Sequence, residues 1–122
     1  MILVDTSIWV DHLRAPDPVL FALLDQRRVF MHRFVYGEIA MGDLRARNTT
    51  LHDLNRLPEL LPARDSEVLA LVNKAGLYAT GIGYIDAHLL TAVRLVPDTQ
   101  LWTRDKRLRE IAERLSIAAH PA

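Results

Sequence analysis

The sequence predicts an α/β fold with a mainly parallel sheet and helices on both faces, and three observations carry this expectation. Ile2-Leu3-Val4 opens the chain as a short apolar run with two β-branched residues, the pattern of a buried strand. Gln100-Leu101-Trp102 reads as another strand near the other end. Between them, short apolar runs alternate with stretches of helical period. That order favours parallel strands joined by right-handed crossovers.

Each element follows from local signals. After Asp5, the spacing of Ile8, Trp9, His12 and Leu13 predicts a short helix closed by Pro16. Asp17-Pro18 supplies an N-cap acceptor and a proline at the first helical position; Leu20, Phe21, Leu23 and Leu24 are its expected buried face. Arg28 to Met31 reads as a second strand, and Arg33 to Leu44 as a helix with Phe34, Val35, Ile39 and Met41 inward. Thr49 or Thr50 is expected to cap a helix carrying Leu51, Leu54 and Leu57, ended by Pro58. Leu60-Leu61 suggests a brief strand. Asp65 or Ser66 is expected to cap a helix bearing Val68, Leu69, Leu71 and Val72, with Gly76 as terminator. Gly81 and Gly83 flank the entry to a helix holding Ile85, Leu89, Leu90, Val93 and Leu95. Asp105 to Leu115 is a charged surface helix, and Ile117-Ala118 a candidate edge strand.

Composition sets the bounds. A chain of 122 residues is expected to form one domain over 1–122, burying roughly two thirds of its unfolded surface. Half hydrophobic and a quarter charged residues exclude a disordered chain. Fifteen basic residues balance fifteen acidic ones, so net charge points to no partner. All the basic residues but Lys74 and Lys106 are arginine, the better phosphate clamp. There is no cysteine, hence no disulfide or thiolate metal site. No basic leader runs into a long apolar stretch, so neither a secretory signal nor a membrane span is expected, and the cytoplasm is the expected compartment.

Most acids have ordinary explanations. Glu110 lies among Lys106, Arg107 and Arg114 at helical spacing, and Asp17 and Asp65 read as caps. Glu38 and Asp86 do not fit this pattern. Every residue three or four positions from either one is uncharged, which would place both carboxylates on apolar helix stripes, costly unless paired or metal-bound. Asp5 and Asp105 each follow a strand, where a cap is the plain reading of either alone. In a parallel sheet, however, both arrive at the edge where α/β proteins bind ligands. Asp86, in the first turn of its helix, faces that edge as well. Two carboxylates ~5 Å apart repel by roughly 3 kcal/mol at an effective dielectric of about 20. Four of them call for a hard, oxygen-seeking ion, Mg²⁺ or Mn²⁺, which leaves positions open for a phosphate and an attacking water.

Asp5-Thr6-Ser7, Tyr36-Gly37-Glu38-Ile39, Tyr84-Ile85-Asp86-Ala87 and Trp102-Thr103-Arg104-Asp105, in this order and spacing, resemble the PIN-domain ribonucleases, and in particular the VapC-type toxins of VapBC toxin–antitoxin pairs. The resemblance implies a PIN-like three-layer α/β/α fold and a Mg²⁺- or Mn²⁺-dependent endoribonuclease. It implies Asp5 and Asp86 as principal metal ligands and catalytic acids, with Glu38 and Asp105 completing the pocket. Thr6 and Thr103 match positions where hydroxyls support the acids. It further implies attack by metal-activated water on single-stranded or looped RNA, a transfer RNA being the leading substrate, leaving 5′-phosphate and 3′-hydroxyl ends. A homodimer and a small cognate antitoxin are the implied partners. From sequence proximity, Arg14, Arg33 and Arg104 are candidate RNA contacts.

Other chemistries fit less well. Haloacid-dehalogenase-type phosphoryl transfer wants a second aspartate where Ser7 stands, and receiver-type transfer wants adjacent acids and a late lysine. Gly81-Ile82-Gly83 lacks the third glycine and preceding strand of a dinucleotide fingerprint, and the five scattered histidines do not make a zinc site. A non-catalytic PIN-like domain that binds RNA or protein is the remaining alternative.

Overall fold

A computed structural model describes residues 1–121. In chain order it forms β1 (Ile2–Val4), α1 (Thr6–Arg14), α2 (Pro18–Asp25), β2 (Val29–Phe30), α3 (Arg33–Ala40), α4 (Arg47–Leu54), α5 (Asp65–Ala75), α6 (Tyr84–Leu95), β3 (Gln100–Trp102) and α7 (Lys106–Arg114). The strands form one parallel sheet in the order β2-β1-β3, with Leu3 opposite Phe30 on one side and Leu101 on the other. β1 is buried along its whole length, as a central parallel strand must be when helices cover the sheet. Leu3, Val4, Ile8, Trp9, Leu89, Leu90, Leu101 and Leu108 form the centre of the core. Burying a side chain of that size is worth about 1.5–3 kcal/mol.

Two expected edge strands are reduced to single parallel bridges. Met31 pairs with Glu59, and Leu101 pairs with Ala118. Leu61 points to solvent, so no alternating stripe exists there to extend the ladder.

The helix ends also differ from expectation. α3 stops at Ala40 instead of Leu44, and Met41 and Gly42 turn the chain away, leaving Met41 88% exposed. On α2 the buried positions are Leu20 and Leu23, three apart, and Phe21 falls off that stripe into solvent. Leu69 is exposed for the same reason on α5, whereas α6 buries Ala87 to Val93 on all sides and exposes Ile85 and Leu95 at its ends. Neither Thr49 nor Thr50 caps α4; Ala46, with φ 45°, precedes a helix that begins a turn earlier, and Thr50 Oγ1 donates to the Arg45 carbonyl. Arg64 occupies the α5 cap, placing Asp65 within the first turn, where its carboxylate takes bonds from Tyr84 and His88. The Asp17 cap and the Gly76 left-handed terminator form as the sequence predicts.

Parallel order decides where the chemistry lies. β1 and β3 end together, with Val4 opposite Trp102 and the Asp5 amide donating to the Trp102 carbonyl at 2.9 Å. The loops after both strands therefore meet at one edge.

Candidate functional site

Asp5 sits at the N-cap position of α1 but makes no cap bond with its side chain. Instead, Ser7 Oγ donates to Asp5 Oδ2 at 2.9 Å, and Thr103 Oγ1 donates to the same oxygen at 2.7 Å. The two hydroxyls in turn accept from the loop after β3: the Arg104 amide donates to Ser7 at 3.0 Å and the Asp105 amide to Thr103 at 3.1 Å. Asp5 is thus 7% exposed and fixed by groups from both adjoining loops.

Asp105 caps α7, its Oδ1 accepting from the Leu108 amide at 3.0 Å. Glu38 lies on the exposed side of α3, where its Oε1 accepts from Thr6 Oγ1 at 2.9 Å. The expectation that Glu38 lies on the buried stripe is therefore corrected. Val35 and Ile39 form that stripe, while Glu38 and Gly42 border an open groove. Asp86 is half-buried in the first turn of α6, its Oδ2 accepting from the Gly83 amide at 3.3 Å.

A common pattern runs through these four acids. Each is anchored through one carboxylate oxygen, and among the described residues the other oxygen has no protein hydrogen-bond partner. The free oxygens of Asp5 and Asp86 are not sealed from solvent, and Glu38 and Asp105 are exposed residues. The acids also act on one another. The Asp86 carboxyl is held above its ordinary pKa, first by burial and then by the negative charges of Asp5, Asp105 and Glu38, against the opposing Gly83 hydrogen bond. The charges acting on Asp86 are all negative, so its cost of ionisation is met by no cation among the described residues.

An all-oxygen, all-anionic donor set fits a hard divalent ion. Among the described residues no three His, Asp or Glu side chains already stand close enough to hold an ion unaided. Like charges hold one another apart, and Mg²⁺ takes only one or two carboxylates directly while keeping several waters. The set therefore fits a hydrated ion.

The expected arginines separate into three cases. Arg104 bonds Asp11 at 2.5 Å and Asp17 at 2.6 Å and lies over the Trp102 ring, so its charge is already answered. Arg33 is 3.5 Å from Glu59 in an exposed pair. Arg14 has no ion-pair partner among the described residues and lines a groove of ≈ 330 Å³ that Glu38 also lines. The sequence reading missed Ser7 as a positioning group. Its signal was the hydroxyl two residues after Asp5, a spacing at which Ser reaches back to a preceding side chain or backbone group.

The family described as PIN domain matches residues 2–114. Ribonuclease VapC32 from Mycobacterium tuberculosis, in strains CDC 1551 and H37Rv, is 42% identical over 118 residues, spanning 97% of this chain and 95% of the relative. The crystal structure of FitAcB from Neisseria gonorrhoeae is similar in fold, with a TM-score of 0.60 at 21% identity, covering 93% of this chain and 94% of that one.

Proposed function

The chain belongs to the PIN-domain family, among its VapC-type ribonucleases, and on that premise we propose that it is a Mg²⁺- or Mn²⁺-dependent endoribonuclease acting as the toxin of a toxin–antitoxin pair. The observation that carries the metal-dependent reading is the set of four carboxylates, each with one anchored and one free oxygen, in which burial and then the charges of Asp5, Asp105 and Glu38 raise the pKa of Asp86. Asp5 and Asp86 are the proposed principal ligands and catalytic acids, with Glu38 and Asp105 completing the set. When bound there, a divalent ion lowers the pKa of a coordinated water and offsets charge on the phosphate under attack.

The protein's part is positional. Ser7 and Thr103 fix the Asp5 carboxylate, because two hydroxyl donors from adjoining loops hold one of its oxygens and leave the other free. Thr6 fixes Glu38 in the same way. Cleavage by water would leave 5′-phosphate and 3′-hydroxyl ends on single-stranded or looped RNA, with transfer RNA the first substrate to try. A homodimer and a small antitoxin are the proposed partners. The exposed apolar residues Leu69, Tyr78, Tyr84, Ile85 and Leu95 support a protein-facing surface. No helix among the described residues is long and apolar enough to cross a membrane, and we place the activity in the cytoplasm.

Following metal-dependent cleavage and metal binding separately tests the proposal. Asp5→Asn and Asp86→Asn should each abolish RNA cleavage while circular dichroism and the unfolding transition show an intact fold. Cleavage that survives in either variant after chelation of divalent ions would refute it.

A further inference from the structure

We propose that the groove between α1, α3 and the loop leading to α4 is the subsite for one unstacked nucleotide adjoining the cleaved phosphodiester, with Arg14 and Arg45 as its phosphate contacts. This inference rests on the ribonuclease reading and assigns a surface which that reading leaves unassigned.

The groove has a volume of ≈ 330 Å³. That is near the small end of the range of about 300–1,000 Å³ for ligand pockets, suited to one nucleotide and too narrow for a duplex. Val10, Leu13, Ile39 and Leu44 give it apolar lining. Val10 is 41% exposed, although Ile8 and Trp9 of the same helix are buried. An apolar floor open to water in this way suits a base face, where stacking and burial are worth about 1–3 kcal/mol per base.

The charges set the direction of the nucleotide. Glu38 and Asp43 line the same groove. As ionised carboxylates they only accept hydrogen bonds, so they pair with the N–H groups of a base and repel its phosphates. Arg14 and Arg45 also line the groove, are exposed, and have no ion-pair partner among the described residues. Phosphates therefore lie toward the arginines and the base toward the carboxylates. Continuity with the acidic site comes through Glu38, which lines the groove and accepts from the hydroxyl of Thr6, the residue after Asp5, at 2.9 Å. A nucleotide seated here keeps its own phosphate at the arginines and leads the next phosphodiester toward Asp5, Asp86 and Asp105, where a bound divalent ion would offset the charge.

The test uses the full chain with Mn²⁺ and a short, mixed-sequence, single-stranded RNA carrying a 5′ fluorophore. Arg14→Gln and Arg45→Gln should each raise KM several-fold, with the effect falling on KM more than on kcat. Each should also make the log–log dependence of kcat/KM on salt shallower by about 0.7, the value for one phosphate contact on a single strand. Arg94→Gln, which removes an exposed charge in the cleft between α5 and α6, should change neither. An abasic residue scanned along the RNA should raise KM at one position next to the cut. If wild type cleaves while both groove variants keep its KM and salt slope, or no abasic position matters, the subsite is wrong and the ribonuclease reading stands. A wild type inert toward every RNA tried would overturn both.

Discussion

Thr103 is buried, and its hydroxyl does two things: it donates to Asp5 and accepts from the Asp105 amide. Thr103→Val keeps the shape and removes both bonds. A hydrogen bond to a charged group is worth about 1.5–3 kcal/mol, so the unfolding free energy should fall by an amount in that range. Loss of an outer partner of a metal-binding acid typically costs about 10–100-fold in metal affinity or activity, and cleavage rates should show it, with Thr103→Ser restoring most of the loss. His32 provides a pH test. It is fully buried, and its Nδ1 accepts from the Phe34 amide at 3.0 Å as the cap of α3. Burial, followed by the charges of His88 and Arg33, lowers its pKa to about 4. The unfolded chain thus binds this proton more readily, so the contribution is complete above the ordinary histidine value of about 6.5 and is lost as pH falls through about 4. A shift of that size corresponds to about 3 kcal/mol. Denaturant titrations between those limits should show stability falling with acidification. His32→Asn, which retains a cap acceptor but does not titrate, should flatten that part of the profile.

At the level of elements, the loop into α6 gives the clearest prediction. Gly81 has φ +91°, and a Cβ there would lie 2.7 Å from Arg107 Nη1 and 2.9 Å from its Cδ. The arginine is exposed and can swing away, so the backbone conformation decides the outcome. Gly81→Ala should cost about 1–3 kcal/mol in stability, and adding Arg107→Ala should recover little of it. Full recovery would assign the cost to the side-chain contact. Elements of this kind were legible from sequence where one residue carries the signal, as with Asp17-Pro18 and Gly76. They were not legible where tertiary packing chose the boundary. Nothing local marks Ala46 as the residue before α4, because alanine offers no side-chain cap and its φ of 45° is one that residues with a Cβ rarely adopt. The uncharged neighbours of Glu38 predict a buried carboxylate, but the side chain is exposed: Val35 is buried, Met41 points to solvent and Gly42 lines an open groove with Glu38.

For the whole molecule, the parallel sheet order does the assembling. Asp5 and Asp105 could be placed on one edge because they follow strands, and hydrogen bonds through Ser7 and Thr103 tie their loops together there. Which arginines stay free was not legible, since the ion pairs of Arg104 with Asp11 and Asp17 join residues that only the fold brings together. The acidic edge makes the metal-free protein less stable. Asp86 has its pKa raised in the fold, so its favourable contribution is present at low pH and is lost as pH rises through that raised value. At neutral pH the repulsion remains in full unless a cation answers it, and a ligand that binds only the folded state stabilises it by mass action. The measurement that tests this most directly is the thermal midpoint of wild type and Asp86→Asn at neutral pH, with and without Mn²⁺. Without metal, Asp86→Asn should unfold at the higher temperature; with Mn²⁺, wild type should gain most and the variant little. Equal gains in both proteins, or a metal-free variant less stable than wild type, would contradict the convergence of these acids on one ion.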